Sequence, residues 1–184
     1  MVKVTKKKVK TYLGLLIIAS GLLIAFFNYQ GSLDTSASFE NEPVKIELAK
    51  YDDEIQPPLP VRIVITDLDI DLEVIKSNIV EGYWEVPEDT AAWGDGSGYP
   101  GSDGNQVIFA HAKEGLFLNL QDATEGMRIY VLTNDNWHEY YVDGLKEVYP
   151  NQVEVVAPTD FERLTLYTCS GYKDSKRLII TASP

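Results

Sequence analysis

The chain has 184 residues, with 16 Lys and Arg side chains against 28 Asp and Glu, and carries a net charge of −12. No acidic residue precedes Asp34, so the chain from residue 31 onward has 11 basic and 28 acidic side chains and a charge of −17. That charge excludes a nucleic-acid-binding protein, which needs a basic face, and a hydrophobic share of 45% excludes a wholly disordered chain. The single cysteine, Cys169, excludes a disulfide framework within the chain and a multi-cysteine zinc site. With only two histidines, His111 and His138, a His-rich metal site is disfavoured as well.

The first 29 residues predict a membrane anchor. Residues 1–11 contain five lysines, and residues 12–29 form 18 positions without a charge. A helix of this length spans roughly 27 Å, close to the hydrocarbon thickness of a bilayer. The lysines are expected to stay in the cytoplasm, which predicts a single-pass protein of the cell membrane with the rest of the chain outside. A cleaved signal peptide is the alternative, but the candidate cleavage site at Thr35–Ala37 lies well beyond the apolar run.

Residues 30–60 are predicted to be an extracytoplasmic stalk. Small polar residues come first, acidic residues follow at 52–54, and prolines at 57, 58 and 60 end the segment. Val44, Leu48, Tyr51 and Ile55 fit one face of a short helix, whereas Val44, Ile46 and Leu48 alternate as in a strand, so both interpretations stay open. The prolines stiffen the approach to the predicted catalytic domain, residues 61–184.

From residue 61 onward the sequence predicts a β protein, because short runs rich in β-branched and aromatic residues alternate with turn residues. The predicted strands are Val61–Thr66, Leu72–Ile75, Tyr83–Val86, Gln106–His111, Arg128–Thr133, Trp137–Val142, Val153–Val156, Leu164–Cys169 and Leu178–Ala182. Asn134–Asn136 is a predicted hairpin turn, and Gly115–Leu120 is a predicted helical turn. The sequence therefore predicts an all-β fold, a closed β-barrel of about eight strands with one or two short helices.

Cys169 and Arg177 are predicted to face each other across a hairpin. Cys169 ends the strand Arg163–Cys169, and the loop Ser170–Lys176 leads into the strand that Arg177 opens. Directly paired residues of neighbouring strands have Cβ atoms about 4.5–5.5 Å apart, so a guanidinium would lie next to the thiol. Such an arginine stays charged, could favour the thiolate and could hydrogen-bond an oxyanion.

A cysteine nucleophile also needs a group that carries protons, and His111 is the candidate. His111 ends another apolar strand, so two strand ends at one mouth of a barrel could bring it to Cys169. Each residue also has a structural interpretation: the cysteine as a small core residue, the histidine as a hydrogen-bonded structural residue, and Arg177 as a solvated charge at a strand end. The combination of the three favours a catalytic site. His138 lies in a run of alternating strand residues and is predicted to be on the surface.

Two weaker patterns predict neither a cofactor nor a metal site. Gly96–Gly101 matches GxGxxG, but Pro100 interrupts it and a strand follows where a nucleotide site needs a helix N-terminus. The acidic residues lack EF-hand spacing and are interpreted as a solvated face, so a dependence on calcium has no support in the sequence.

The residues around these candidates resemble the sortase family. Thr165–Cys169 (TLYTC) resembles the TLxTC signature of sortases, and Arg177 opens the next strand as the sortase arginine does. Gly104–His111 resembles the strand that ends in the sortase histidine, and Val61–Val74 resembles the first sortase strand pair. The resemblance continues to the last residue of the chain. Departures such as Ala110, where many sortases have glycine, leave the branch of the family open.

The resemblance implies a membrane-anchored cysteine transpeptidase on the outer face of the membrane. Cys169 would attack a backbone carbonyl within an LPxTG-like C-terminal sorting motif of an exported protein, and His111 would protonate the departing amine. Arg177 and the backbone N–H of Ser170 would hold the oxyanion, and Thr168 would line the substrate groove. The thioester would then pass to an amine of a cell-wall precursor or to a pilin lysine.

Two alternatives remain open on the sequence. An L,D-transpeptidase also uses an exported cysteine, but its SxGC context is absent here. A membrane-anchored extracellular β-barrel binding module would hold Cys169 as a structural, inert residue. Labelling of the thiol in the folded protein separates the enzyme from the binding module. The sorting motif, the acceptor amine and the oligomeric state are not predicted by the sequence.

Overall fold

The computed structural model describes residues 58–184. The membrane segment predicted at residues 12–29 and nearly all of the predicted stalk lie outside the described residues. Among residues 58–184, no helix is both long and apolar enough to cross a bilayer.

Eight of the ten strands in the described part of the chain close into a barrel. The strands are β1 Arg62–Ile65, β2 Ile70–Ser77, β3 Ile79–Val80, β4 Tyr83–Trp84, β5 Ala91–Gly94, β6 Gly104–Phe109, β7 Arg128–Leu132, β8 Trp137–Val148, β9 Glu162–Ser170 and β10 Lys176–Ser183. Their order around the barrel is β1-β2-β5-β6-β9-β10-β8-β7, and β7 pairs with β1 to close it. Four short 3-10 helices lie at Thr66–Leu68, Leu118–Asp122, Val153–Val156 and Tyr172–Asp174. The predicted closed all-β barrel of about eight strands is therefore confirmed.

The barrel interior is a hydrophobic core to which every barrel strand contributes. Side chains of successive strand residues point to opposite faces, so alternate residues of each strand enter this core. Its members include Ile63, Val74, Trp93, Ile108, Ile129, Tyr140, Leu166 and Ile180, one from each of the eight strands.

A second, smaller hydrophobic cluster covers the outer face of β6, β9 and β10. It consists of Trp84, Ala92, Val107, Phe109, Val148, Tyr167 and Ile179. The β3–β4 hairpin and the 3-10 helix Val153–Val156 pack against this cluster. Because Cys169 lies two residues after Tyr167 in β9, the thiol points to the same outer face rather than into the barrel.

The prediction of a strand at Val153–Val156 is wrong, because this segment is a 3-10 helix. The carbonyl oxygen of Val155 and that of the following Ala157 have a side-chain partner instead of a neighbouring strand. Asn105 Nδ2 donates to the carbonyl oxygens of Val155 at 3.3 Å and Ala157 at 3.0 Å. The β-branched residues of this segment favour a strand, but its hydrogen bonds are local and form a 3-10 helix instead.

Three other details differ from the predictions. The strand predicted at Tyr83–Val86 is only two residues long and pairs with β3 outside the barrel. Strand β5 was not predicted, because its sequence AAWG is buried throughout and shows no alternation of polar and apolar residues. His138 is partly buried rather than on the surface, since β8 directs it toward the interior, where its ring packs against Gly101.

Candidate active site

Cys169 and Arg177 are direct partners in the antiparallel pairing of β9 with β10. The turn between the strands contains the 3-10 helix Tyr172–Asp174. It is entered through Gly171, whose φ of +76° is a backbone conformation that glycine adopts without strain. The hairpin predicted from the sequence is thus observed, and both side chains lie on the same face of the sheet.

The Cys169 thiol is half-buried, and its surroundings change its pKa in opposite directions. Burial raises the pKa above the ordinary thiol value, the Arg177 guanidinium lowers it, and the Asp174 carboxylate raises it. Burial has the largest effect, so the net pKa is raised. Arg177 acts in the predicted direction, but the thiol remains the major form at neutral pH and needs a base in order to react.

Arg177 is an almost fully buried cation, with only 4% of its surface exposed. Its Nη1 donates hydrogen bonds to the carbonyl oxygens of Asp174 and Lys176, both at 2.9 Å. Within residues 58–184, no carboxylate lies at ion-pair distance from Arg177. The interpretation of Arg177 as a solvated strand-end charge is therefore wrong.

The backbone around His111 is tied to the strand that carries the cysteine. Strand β6 ends at Phe109, so His111 follows the strand by two residues instead of ending it as predicted. The carbonyl oxygen of Ala110 accepts a hydrogen bond from Thr168 Oγ1 at 2.8 Å. The carbonyl oxygen of His111 accepts one from the backbone N–H of Phe117 at 3.1 Å. These two hydrogen bonds hold the backbone of Ala110 and His111 in place beside the strand that carries Cys169.

The imidazole of His111 has an acidic neighbour. Its Nε2 lies 3.9 Å from Glu88 Oε1, and Lys113 Nζ lies 3.8 Å from the other oxygen of the same carboxylate. Nε2 is buried and has no hydrogen-bond partner in the described part of the chain. This nitrogen is therefore available for hydrogen bonding with a substrate or with the thiol.

One cavity of about 270 Å³ brings the three predicted catalytic residues together. It is lined by Trp84, Glu85, Val86, Glu88, Phe109, Ala110, His111, Tyr167, Cys169 and Arg177. A thiol, an imidazole and a guanidinium thus share one space with a mainly apolar wall. This set can perform nucleophilic acyl transfer, with the thiol as nucleophile, the imidazole as proton carrier and the guanidinium as oxyanion partner.

The apolar wall of this cavity is a row of three aromatic rings. Trp84 stacks on Phe109 at 5.6 Å between centroids, and Phe109 packs on Tyr167 at 5.4 Å. Trp84 Nε1 donates to the carbonyl oxygen of Asp95 at 2.9 Å, which fixes the ring. Gly94 passes directly beneath that ring, where a Cβ would lie 2.4 Å from two ring atoms.

A second cavity of about 430 Å³ lies on the other side of Cys169. Its lining comes from the β9–β10 hairpin, the end of β8 and the 3-10 helix Leu118–Asp122, and it includes Glu147, Thr168, Cys169, Ser170 and Asp174. Thr168 is only 3% exposed, and its hydroxyl is occupied by the bond to Ala110. Cys169 therefore borders two cavities: the first has the row of aromatic rings together with Glu85 and Glu88, and the second has Glu147 and Asp174.

The sequence analysis missed three residues of the first cavity, namely Tyr167, Trp84 and Glu88. A signal for Tyr167 was present, because strand alternation places it on the same face as Cys169. Trp84 and Glu88 lie on the crossover between the parallel neighbours β2 and β5, and their spacing in the sequence does not indicate where that crossover packs. No three His, Cys, Asp or Glu side chains within residues 58–184 are placed to hold a metal ion.

Comparison with known proteins gives one consistent group. A family model described as the sortase domain matches residues 63–184. Sortase A of Bacillus anthracis is 33% identical over 127 residues, covering 65% of this chain and 56% of the relative. Sortase A of Streptococcus agalactiae is 29% identical over 90 residues, covering 45% and 36%. The chain thus spans about half or less of the length of these relatives.

The solved structures that resemble the chain include two of sortase A from Corynebacterium diphtheriae. The lid mutant has a TM-score of 0.59 at 28% identity, with 70% of each chain covered. The other has a TM-score of 0.57 at 28% identity and covers 69% of this chain and 60% of its own.

Proposed function

The chain belongs to the sortase family, and on this premise we propose that it is a cysteine transpeptidase on the outer face of the cell membrane. Its donor is an exported protein with an LPxTG-like C-terminal sorting motif, and its acceptor is an amine of a cell-wall precursor or a pilin lysine. The residues at 12–29 anchor it as a single-pass protein with its N-terminus in the cytoplasm. The reaction uses the protein's own side chains and no cofactor.

The observation that carries this proposal is the state of Arg177. A cation that is 4% exposed and lacks a carboxylate partner in the described chain is costly to bury, because its hydration is only partly replaced. Its direct strand partner is Cys169, and His111 lines the same cavity. An uncompensated positive charge beside a nucleophile is useful where negative charge develops during a reaction.

In the acylation step, the Cys169 thiol gives its proton to His111 and its sulfur attacks the carbonyl carbon of the scissile peptide bond. The carbonyl electrons move to oxygen, and the oxyanion is held by Arg177 and the backbone N–H of Ser170. When the intermediate collapses, the C–N bond breaks and the His111 imidazolium protonates the departing amine nitrogen. The products are a thioester on Cys169 and a free amine.

In the transfer step, the acceptor enters the second cavity as an ammonium ion, loses one proton to the solvent, and attacks the thioester carbonyl as the free amine. His111 takes a proton from the attacking nitrogen, and the cysteine leaves as a thiolate that is protonated again. The Glu147 and Asp174 carboxylates in this cavity favour the approach of a cationic amine, while the aromatic cavity holds the acyl chain. Thr168 lines the second cavity and supports the histidine through its hydrogen bond to the carbonyl oxygen of Ala110.

Mass spectrometry of the intact protein, incubated with a small library of sorting pentapeptides, tests the proposal. We expect an adduct on Cys169 that hydroxylamine removes, and a transpeptidation product when an acceptor amine is added. Cys169→Ala must abolish both. His111→Gln must lose turnover, whereas the matched control His138→Gln, at the second histidine of the chain, must keep it.

The binding-module alternative gives the opposite results. An inert structural cysteine would form no adduct with any peptide and would resist alkylation until the protein is denatured. A thiol that is half-buried and borders two cavities supports the enzyme over this alternative. An adduct that still forms with Cys169→Ala would also contradict the proposal.

A further inference from the structure

Asn105 carries a buried amide that none of the steps above uses. It lies in strand β6, is only 3% exposed, and comes four residues before Phe109, one of the three rings of the aromatic wall. Alternate residues of a strand point to the same face, so Asn105 shares the outer face of the barrel with Val107 and Phe109. The amide therefore lies on the sheet face that carries the first cavity.

The Asn105 amide bridges strand β9 and the segment that precedes it. Its Oδ1 accepts a hydrogen bond from Thr165 Oγ1 at 2.6 Å. Its Nδ2 donates to the carbonyl oxygens of Val155 at 3.3 Å and Ala157 at 3.0 Å. Because a carbonyl oxygen can only accept and an amide nitrogen can only donate, the two carbonyl partners determine which way the amide points. The side chain thus links the barrel wall to two backbone groups about fifty residues away in the sequence.

The carbonyl groups that Asn105 binds belong to the β8–β9 loop, residues 149–161, which contains the 3-10 helix Val153–Val156. Val155 and Val156 pack against the smaller hydrophobic cluster, to which all three rings of the aromatic wall belong. The helix is therefore attached twice to the outer face of the barrel. Its valine side chains pack on the cluster, and its backbone is bound to Asn105.

Other hydrogen bonds of this loop do not replace the bonds to Asn105. Those from Gln152 N to Tyr149 O at 3.0 Å and from Ala157 N to Glu154 O at 3.2 Å are local and hold no part of the loop to the barrel. The backbone N–H of Gly104 donates to the carbonyl oxygen of Phe161 at 3.2 Å, but this bond lies at the end of the loop, beyond the helix.

We propose that Asn105 is a positioning residue that docks the 3-10 helix Val153–Val156 against the aromatic wall and thereby determines how tightly the donor peptide binds. This inference rests on the proposed function. Asn105 does not line the first cavity, so it acts through the helix and the rings and not on the reacting atoms. Loss of the amide would release the helix from the wall, which would weaken binding of the donor and leave the chemical step intact.

The neighbours of Asn105 require an amide rather than a carboxylate. Asn105→Asp has nearly the same size and shape, but an ionised carboxylate has no N–H to donate and would place an oxygen against two carbonyl oxygens. Thr165 Oγ1 could still donate to it. This variant therefore removes the attachment of the helix while the volume at position 105 is kept, which separates hydrogen bonding from packing.

Steady-state kinetics test the inference, with the sorting pentapeptide that forms most adduct and one fixed acceptor amine. We expect Asn105→Asp and Asn105→Ala to raise KM for the pentapeptide about tenfold and to keep kcat within twofold, as for lost hydrogen bonds that affect binding alone. The matched control is Asn119→Ala. Asn119 Nδ2 also donates to a carbonyl oxygen of a 3-10 helix, that of Leu68 at 2.9 Å, but neither residue lines the first cavity. This control should lower Tm and leave KM for the pentapeptide unchanged.

Two further measurements separate positioning from a general loss of stability. The backbone N–H of Ala157 should exchange with deuterium faster in Asn105→Ala than in the wild type, and at the wild-type rate in Asn119→Ala. If Asn105 acts through the helix, adding Asn105→Ala to Val155→Ala will raise KM little further. Thr165→Val removes the hydroxyl that orients the amide, and it serves as the second variant if those at position 105 do not fold, with a smaller rise in KM expected.

The inference is overturned if folded Asn105→Asp keeps KM for the pentapeptide within twofold of the wild type, or if Asn119→Ala raises KM equally. Full additivity of Asn105→Ala with Val155→Ala would also overturn it, as would an unchanged KM in Thr165→Val where the variants at position 105 do not fold. Failure of the proposed function looks different, because the wild-type protein would then form no adduct with any peptide. Exchange at Ala157 would still decide whether Asn105 docks the helix.

Discussion

Gly94→Ala tests whether the aromatic wall of the first cavity depends on the absence of a single methyl group. A Cβ at this position would lie 2.4 Å from Trp84 Cε2 and Cζ2 and 2.8 Å from Cδ2. The ring cannot slide aside cheaply, because its Nε1 is bonded to Asp95 and its face is stacked on Phe109. We therefore expect Trp84 to leave its position and the β3–β4 hairpin to move away from the barrel.

The size of the effect follows from overpacking of a buried ring. Forcing an extra methyl group into a packed site costs about 1–3 kcal/mol of unfolding free energy, which lowers Tm by roughly 3–10 °C in a domain of this size. Since Trp84 supports Phe109 and Phe109 supports Tyr167, we expect KM for the donor peptide to rise several-fold. Differential scanning calorimetry and steady-state kinetics measure the two effects separately.

Two variants control for trivial explanations of this result. Gly82→Ala lies in the turn of the same hairpin, where φ is +87° but a Cβ meets nothing within 4 Å. It strains the backbone without touching Trp84, so Tm should fall while KM stays unchanged. Adding Trp84→Leu to Gly94→Ala relieves the clash and should recover part of the lost stability. An unchanged Tm and KM in Gly94→Ala, or no recovery of stability in the double variant, would show that Trp84 is not displaced by a methyl group at position 94.

Three further predictions concern the reacting groups. Arg177→Lys keeps the charge but loses the planar fork, so kcat should fall about 100-fold, while the pH midpoint of Cys169 alkylation should stay close to that of the wild type. In the wild type, the raised pKa of the Cys169 thiol should place the pH midpoint of its alkylation above the midpoint measured in urea. Arg177→Gln should move the midpoint higher still, because the guanidinium lowers this pKa. A wild-type midpoint at or below the urea value would contradict the effect of burial. Thr168→Val removes the hydrogen bond to Ala110 and should cost about 1 kcal/mol of stability and lower kcat several-fold, whereas Thr181→Val, at the far end of β10, should leave kcat unchanged.

The parts of the fold that were predictable are those in which local pattern and tertiary environment agree. The long alternating strands β9 and β10 and the hairpin between them follow from the periodicity of their residues. Strand β5 could not be predicted, because AAWG is buried on both faces and its membership in the barrel depends on parallel pairing with β2. The prediction for Val153–Val156 was wrong for the opposite reason. Its residues favour a strand, but Asn105 Nδ2 donates a hydrogen bond to the carbonyl oxygen of Val155 in a 3-10 helix.

The candidate site was predictable only where strand geometry alone determines it. Pairing of Cys169 with Arg177 follows from the turn between their strands, whereas the approach of His111 depends on the parallel pairing of β6 with β9 across about fifty residues of sequence. The lowering of the thiol pKa by Arg177 was predicted, but the larger, opposite effect of burial was not, because burial depends on how distant parts of the chain pack around the cysteine. Sequence therefore indicates which groups meet, and packing determines their protonation.

The burial of Arg177 shows what the fold gives up for this chemistry. A chain with a charge of −17 from residue 31 onward has carboxylates in excess, yet none of those in the described residues reaches the one guanidinium beside the thiol. Two carbonyl oxygens accept hydrogen bonds from that cation without neutralising it. A carboxylate partner would stabilise the resting protein more, but it would compete with the oxyanion for the same donors. The protein is therefore less stable than it would be with a carboxylate partner for Arg177. In return, the guanidinium is free to stabilise the negative charge that arises only during the reaction.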